Sequence, residues 1–406
     1  MNANRIPGRG ITAAIAAGCL VAFIGFGFSA AFGVFLRPMS EELGWPRETF
    51  SLSLGLQALF WGFIQPFAGM VADRHGTGRV LAFGAVVSAL GFCLRGTIVD
   101  PAVFVATGVV VGVGTGACSF PVVIVALGKI VEERRRSFIL GLGTAAASAG
   151  MFAAAPAATA LIDAVGWQNA ILAVAASFLA ILPPLHFIAR ASRPSAPAGS
   201  DGAFTRAIGT ACSERGFVLL FFGFFVCGFH VAFIQTHLPA YVGDRGLVSA
   251  VGGWSLALIG LFNIFGSFAA GWSGQRYSKK RTLAAIYAAR AVVIAAFVVL
   301  PLTPAGVYLF SAAMGVLWLS TVPLTTGLVA QTQGLRFFST LVGLLYLGHQ
   351  TGMFLGAWLG GRIFDAFGDY GPVWWAAVGL GVLAMVLHLP INELPRRLAR
   401  LEAAGS

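Results

Sequence analysis

The sequence predicts an all-α membrane protein with twelve transmembrane helices arranged as two six-helix repeats, and three observations carry that prediction. Hydrophobic residues make up 58% of the 406 positions and charged ones 10%, with a mean hydropathy of +0.85. The 26 Lys and Arg and 15 Asp and Glu are too few to cover a soluble surface of this size, which excludes an ordinary cytosolic enzyme. The apolar residues also gather into twelve runs that each reach the roughly 20 residues a bilayer crossing needs. Finally, the charged segments after the second and eighth runs correspond at a constant offset, the mark of an internal repeat.

The runs fall at about 11–36, 49–72, 79–98, 101–127, 137–162, 168–189, 216–242, 250–273, 282–302, 305–330, 338–363 and 371–391. Leu, Ala, Val, Phe and Gly fill them without the alternation of a barrel strand. Arg5 and Arg9 precede the first run, which is too long for a signal-peptide core and ends on Arg37-Pro38, not on a small-residue cleavage site. It is expected to stay as a span. In alternating loops, 20 of the 26 basic residues lie on one side. Arg37, Arg47 and Arg245 lie in loops on the other, with Arg95 and Arg362 near helix ends; only Arg290 falls well inside a span, the ninth. Both termini are therefore expected in the cytoplasm and the chain in a plasma (inner) membrane. The net charge of +11 then reports topology, so the bilayer and not a nucleic acid is the expected partner.

The repeat is most visible in Gly69-Met-Val-Ala-Asp73-Arg74-His-Gly-Thr-Gly-Arg79 and Gly271-Trp-Ser-Gly-Gln275-Arg276-Tyr-Ser-Lys-Lys280-Arg281. Gly69 to Gly271, Arg74 to Arg276, Arg79 to Arg281, Gly150 to Gly352 and Asp163 to Asp365 are each 202 residues apart. The join, Ala189–Arg215, has Ser, Pro, Gly and Ala at its centre, a linker composition. The expected organisation is a six-helix half over 1–189, a cytoplasmic linker over 190–215 and a second half over 216–406. Parallel halves of this kind can rock against each other around a site near the bilayer midplane.

These residues resemble the major facilitator superfamily of secondary transporters over essentially the whole chain. Gly69, Asp73, Arg74, Gly76 and Arg79 match its loop motif between the second and third helices, with Gly78 in place of one usual basic residue. The resemblance implies the major facilitator fold and a conformational gate at Gly69, Asp73, Arg74 and Arg79, repeated at Gly271, Gln275, Arg276 and Arg281. An aspartate near a helix end can pair with loop arginines and helix dipoles in one state only. Within the superfamily, Phe32-Gly33-Val34-Phe35, Pro38 and Gly44-Trp45, with Gly128-Lys129, Arg134-Arg135-Arg136, Gly141 and Gly150, look like the monocarboxylate-transporter and oxalate/formate-exchanger branch. That branch often carries a carboxylate-binding arginine in its eighth helix. Here 250–273 has none, and Asn263 and Ser267 stand in that region.

Ionisable groups within spans are costly and mark function by default. The deep ones are His230, His237, Arg290 and His349, with no carboxylate among them. Such a set favours an anion, because nothing in it neutralises a cation. His230, Ile234, His237 and Tyr241 share one face of the seventh helix, which the resemblance places on the central path. Two readings stand: a polar stripe that contacts substrate, or imidazoles satisfied by hydrogen bonds between helices. Histidine is also the expected proton carrier, His237 before His230, since its unperturbed range spans working pH. Arg290 either binds a carboxylate, with Tyr287 and Asn263 close by, or bonds carbonyls of neighbouring helices. Trp318, Thr321, His349 and Gln350 complete the C-terminal candidates for substrate binding, and Gln57 and Ser119 stand in the N-terminal half.

The chain lacks a Ser-His-Asp, metal-ligand or nucleotide-binding constellation, so no catalysis, cofactor or metal is expected. The reading is a monomeric secondary carrier of a small organic anion, a monocarboxylate by class, working by alternating access with proton symport or by exchange. The rival readings are an efflux carrier for neutral or amphipathic compounds and a transporter-like sensor that moves nothing.

Overall fold

The computed structural model describes residues 8–119, 121–123, 133–191, 209–334 and 338–394. The N-terminal helices are α1 (Gly8–Ala31), a 3-10 turn (Phe32–Phe35), α2 (Leu36–Leu43), α3 (Arg47–His75), α4 (Thr77–Thr97), α5 (Pro101–Ala117), α6 (Glu133–Ala180) and α7 (Leu185–Ala191). The C-terminal ones are α8 (Arg215–Asp244), α9 (Ser249–Arg276), α10 (Lys279–Val299), α11 (Pro304–Leu317), α12 (Thr321–Gln333), α13 (Phe338–Phe367) and α14 (Gly371–His388). Ten stretches are long and apolar enough to cross a membrane. One of them runs from Leu142 to Arg190 through the non-helical Gly166 and so takes in two expected spans. The 30-residue α13 supplies the eleventh expected span.

The repeat is built into local geometry as well as sequence. Left-handed glycines end helices at Gly44 (φ 64°) and Gly246 (φ 83°), and again at Gly166 (φ 81°) and Gly368 (φ 71°), which are conformations that favour a residue without Cβ. The helices that begin the fourth and tenth spans start alike. Asp100 accepts from Val103 N (2.9 Å) ahead of Pro101, and Thr303 accepts from Gly306 N (3.1 Å) ahead of Pro304. The tightest helix pairs correspond too: a side chain at Gly150 would strike the Phe23 carbonyl, and one at Gly352 would strike that of Phe225. Close backbone approach at small residues is how helices pack in lipid, where no hydrophobic force draws them together.

The tenth span is broken. α11 stops at Leu317 and α12 starts at Thr321, leaving carbonyls at 316–318 without their helical donors. Side chains fill the gap: Ser320 Oγ donates to Val316 O, and Arg290 of α10 donates to Leu317 O and Trp318 O.

Candidate functional site

A cavity of about 440 Å³ lies at the centre of the molecule between the two chain halves. Its walls are mostly apolar, with Phe26, Leu54, Trp61, Val231, Phe268 and Met353 among them. Among the described residues no Asp, Glu, Lys or Arg belongs to the lining, and His349 is the histidine on it. α13 brings His349 and Gln350 to the wall, α3 brings Gln57, and the segment after α5 brings Ser119. Both ring nitrogens of His349 and the Oε1 of Gln350 are buried without a hydrogen-bond partner among the described residues. Buried polar atoms are nearly always paired, and the Cys227 thiol is the polar side chain beside the His349 ring. Gln65 Nε2 donates to Ser119 Oγ (2.8 Å), and Gln57 Oε1 accepts from Arg95 Nη1 (2.8 Å).

Of the expected site residues, Gln57, Ser119, His349 and Gln350 line this cavity and the others do not. The polar face of α8 is turned toward α13 and α14. His230 Nε2 lies 2.8 Å from Ala377 O, and His237 Nε2 lies 2.8 Å from Ala357 O. Both rings are wholly enclosed, so the structure has the interhelical arrangement for this pair and not the cavity stripe. Tyr241 packs against Trp374 at 5.5 Å between ring centroids. Asn263 ties three elements together: it donates to Ser148 Oγ (3.2 Å), accepts from Leu319 N (3.0 Å) and accepts from Ser267 Oγ (3.3 Å). Arg290 is wholly buried and its two occupied nitrogens serve the break in the tenth span; Nη1 is unpartnered. Trp318 contributes its carbonyl to Arg290, and Thr321 Oγ1 lies 3.2 Å from Cys227 Sγ.

Arg95 stands in the last turn of α4, near a helix end as expected, but it belongs with the deep ionisable residues. It is 0% exposed, held by side chains of α3 and α5. Position near the end of an apolar run hides this burial, whereas polar partners at Ser53 and Gln57, one turn apart on α3, are the available signal.

A second feature not anticipated is an ion-pair lock on the face opposite the linker. Arg47, at the start of α3, makes two bonds to Asp244 at the end of α8, at 2.5 and 2.6 Å. Its guanidinium also donates to Tyr370 Oη (2.9 Å) and lies over the Phe364 ring at 3.8 Å. Asp365 accepts from the backbone of Arg47 (3.0 Å) and Glu48 (2.7 Å), capping α3 from the other half of the chain. His237 belongs to this network. Because Ala357 O can only accept, His237 Nε2 carries the hydrogen, and Nδ1 accepts from Tyr370 Oη at 3.2 Å.

The sequence motif at the linker face shows no such engagement. Gly69, Arg74, Arg79, Gln275, Arg276 and Arg281 are exposed, and none of the arginines has an ion pair among the described residues. Arg276 stacks on Trp272 at 4.7 Å. The side chain of Asp73 lies outside the described ones. The glycines agree: a side chain at Gly33 would strike Gln235 and one at Gly361 would strike Ser51, each across the halves, but one at Gly69 or Gly271 would meet nothing. Among the described residues the contacts recorded across the halves lie between the cavity and the locked face, and none lies at the motif.

A model of the Major Facilitator Superfamily matches residues 18–337, most of the chain. The chain belongs to the Major Facilitator Superfamily. It is a multi-pass membrane transporter by family, and its relatives are distant. It is 25% identical over 359 residues to the uncharacterized MFS-type transporter YcxA of Bacillus subtilis (strain 168), covering 84% of this chain and 86% of that one. It is also 25% identical over 411 residues to monocarboxylate transporter 4 of Rattus norvegicus, covering 96% and 84%. Among solved structures, a bacterial homolog of the human lysosomal transporter Spinster, crystallised in an inward-facing and occupied conformation, superposes with a TM-score of 0.72. That structure is 14% identical and covers 96% of this chain and 95% of its own, so it supports the fold alone.

Proposed function

We propose that this transporter carries a small organic anion, a monocarboxylate by class, through alternating access. The observation that carries the reading is His349, a buried imidazole on the cavity wall whose nitrogens have no oxygen or nitrogen partner among the described residues, beside Gln350, whose amide oxygen has none either. In either tautomer the His349 ring offers an N–H donor to a carboxylate. The apolar wall around it suits a short hydrocarbon body, and among the described lining residues there is no acid to favour an organic cation. The two wholly buried arginines, Arg95 and Arg290, have no ion pair among the described residues and add positive potential in a medium that screens little.

In the orientation the basic loops suggest, with both termini cytoplasmic in the inner membrane, the Arg47–Asp244 lock lies on the outer side and the cavity belongs to an inward-facing state. Outward opening needs that lock released, and the Gly69–Arg79 and Gly271–Arg281 segments then take over as the inner gate. Proton coupling runs through His237 by way of this lock. Protonated on Nδ1, its ring no longer accepts from Tyr370, whose oxygen accepts from Arg47. The transporter works as a monomer, each half contributing to one cavity.

Calorimetric titration of the purified protein with a series of short carboxylates and their neutral amides tests the reading. Binding of carboxylates, lost in His349→Ala, is expected. Preference for neutral amphipathic compounds over every carboxylate points instead to an efflux carrier and contradicts it.

A further inference from the structure

Arg95 has a fully determined set of partners. Nε donates to Thr107 Oγ1 (3.0 Å), Nη1 to Gln57 Oε1 (2.8 Å) and Nη2 to Ser53 Oγ (2.9 Å). Phe32, Phe104 and Phe92 surround the guanidinium with ring centroids at 5.0, 5.6 and 5.7 Å. The two hydroxyls spend their own hydrogens on Phe104 O, from Thr107 at 2.6 Å and from Ser53 at 3.0 Å, so each can give Arg95 only a lone pair. Among the described residues no carboxylate meets this charge, which is an expensive state for a buried cation.

Gln57 is the partner that reaches the cavity. A guanidinium has donors only, so the amide cannot turn over without placing N–H against N–H. With Oε1 held, Gln57 presents its NH₂ group to a solute, and the positive charge behind it polarises that group as a donor. The Arg95–Gln57 pair thus resembles half of a charged binding site, with the counter-ion missing and the charge kept one residue behind the wall.

We propose that Arg95 is a positioning residue which, through Gln57, forms an anion subsite on the N-terminal half, in the cavity wall that also holds His349 and Gln350. The inference rests on the anion reading of the same cavity. A carboxylate bound there takes the Gln57 amide with one oxygen and supplies the counter-charge that Arg95 lacks. A neutral solute gains the hydrogen bond but not the charge term, so this pair sets selectivity for anions.

The test is titration calorimetry of the full chain in detergent with propionate and its neutral isostere propionamide. Gln57→Glu keeps an acceptor for Arg95 and so keeps the helix packing, while it replaces the donor by a negative oxygen. Propionate affinity is expected to fall at least about tenfold, with propionamide affinity changed far less. A general packing defect would weaken both ligands alike, and that result overturns the assignment, as does propionate binding by Gln57→Glu within about twofold of wild type. If Gln57→Glu melts without a cooperative transition, Gln57→Leu is read by the same criteria. Wild-type protein that binds no short carboxylate overturns the anion reading and the subsite with it; wild-type binding that Gln57→Glu leaves intact overturns the subsite alone.

Discussion

Arg47 and Asp244 join the two halves of the chain through a bidentate ion pair at 2.5 and 2.6 Å, on the face opposite the linker. The planar guanidinium matches the carboxylate oxygens, Tyr370 takes a further N–H, and Phe364 covers the group at 3.8 Å. The pair is part-buried, with Arg47 enclosed and Asp244 reaching solvent, so removing one partner costs about 1–3 kcal/mol. A barrier to opening made of this one cluster can be broken by single substitutions.

Arg47→Gln and Asp244→Asn should therefore each shift the protein toward opening on that face. Spin labels at the exposed Val99 and Leu300, in corresponding loops of the two halves, report it. The distance distribution should gain a longer component in either variant. A loss of about 1–3 kcal/mol changes the open-to-closed ratio by roughly fivefold to a hundredfold. An unchanged distribution in both variants would show that the lock does not hold this face.

The histidines should divide by position. His349→Phe is expected to weaken carboxylate binding at least about tenfold with little change in melting temperature, since it removes the ring nitrogens and keeps a ring of similar shape packed against Phe224. His230→Ala should do the reverse. Its ring fills a wholly enclosed site against Ala377, so its loss leaves a cavity and costs about 2–4 kcal/mol of stability, with carboxylate affinity retained. Calorimetry paired with thermal melts separates the two effects.

Arg290→Lys should destabilise the protein by about 1–3 kcal/mol, measured as a lowered unfolding midpoint. A single ammonium cannot serve both Leu317 O and Trp318 O in the geometry that the guanidinium fork provides. Folded Arg290→Lys should still bind carboxylate, because Arg290 is not part of the cavity wall.

His237→Gln offers an amide N–H to Ala357 O and an amide oxygen to Tyr370, imitating the neutral imidazole without its capacity to gain a proton. Wild-type uptake into proteoliposomes should rise as the pH on the locked side falls, since protonation of Nδ1 loosens the Tyr370–Arg47 contact. In His237→Gln uptake should continue and that rise should vanish. A pH response as steep as wild type in this variant would place the coupling proton elsewhere. Arg47, Asp244, Asp365 and Tyr370 share the cluster and are the groups to test next.

Much of the architecture could be read from residues. The 202-residue correspondence appears in three dimensions as paired left-handed glycines, paired helix caps and the matched contacts of Gly150 and Gly352. The helical face shared by His230, His237 and Tyr241 is real, but periodicity does not say which neighbour that face meets, and it meets α13 and α14. Arg47 and Arg95 were hidden for a related reason. Each sits at the end of an apolar run, where sequence suggests solvent, and only long-range partners, Asp244 for one and Gln57 for the other, reveal their burial. His349 and Gln350 were legible as deep polar residues; that their polar atoms lack partners is a property of the packed structure.

Counterflow in proteoliposomes tests the central claim most directly. Vesicles loaded with unlabelled propionate and diluted into a trace of labelled propionate should accumulate label transiently through the wild-type protein and fail to do so with His349→Ala. If the wild-type protein, shown by its cooperative melt to be folded, gives no counterflow with propionate or any other short carboxylate, an anion carrier is the wrong description of this cavity.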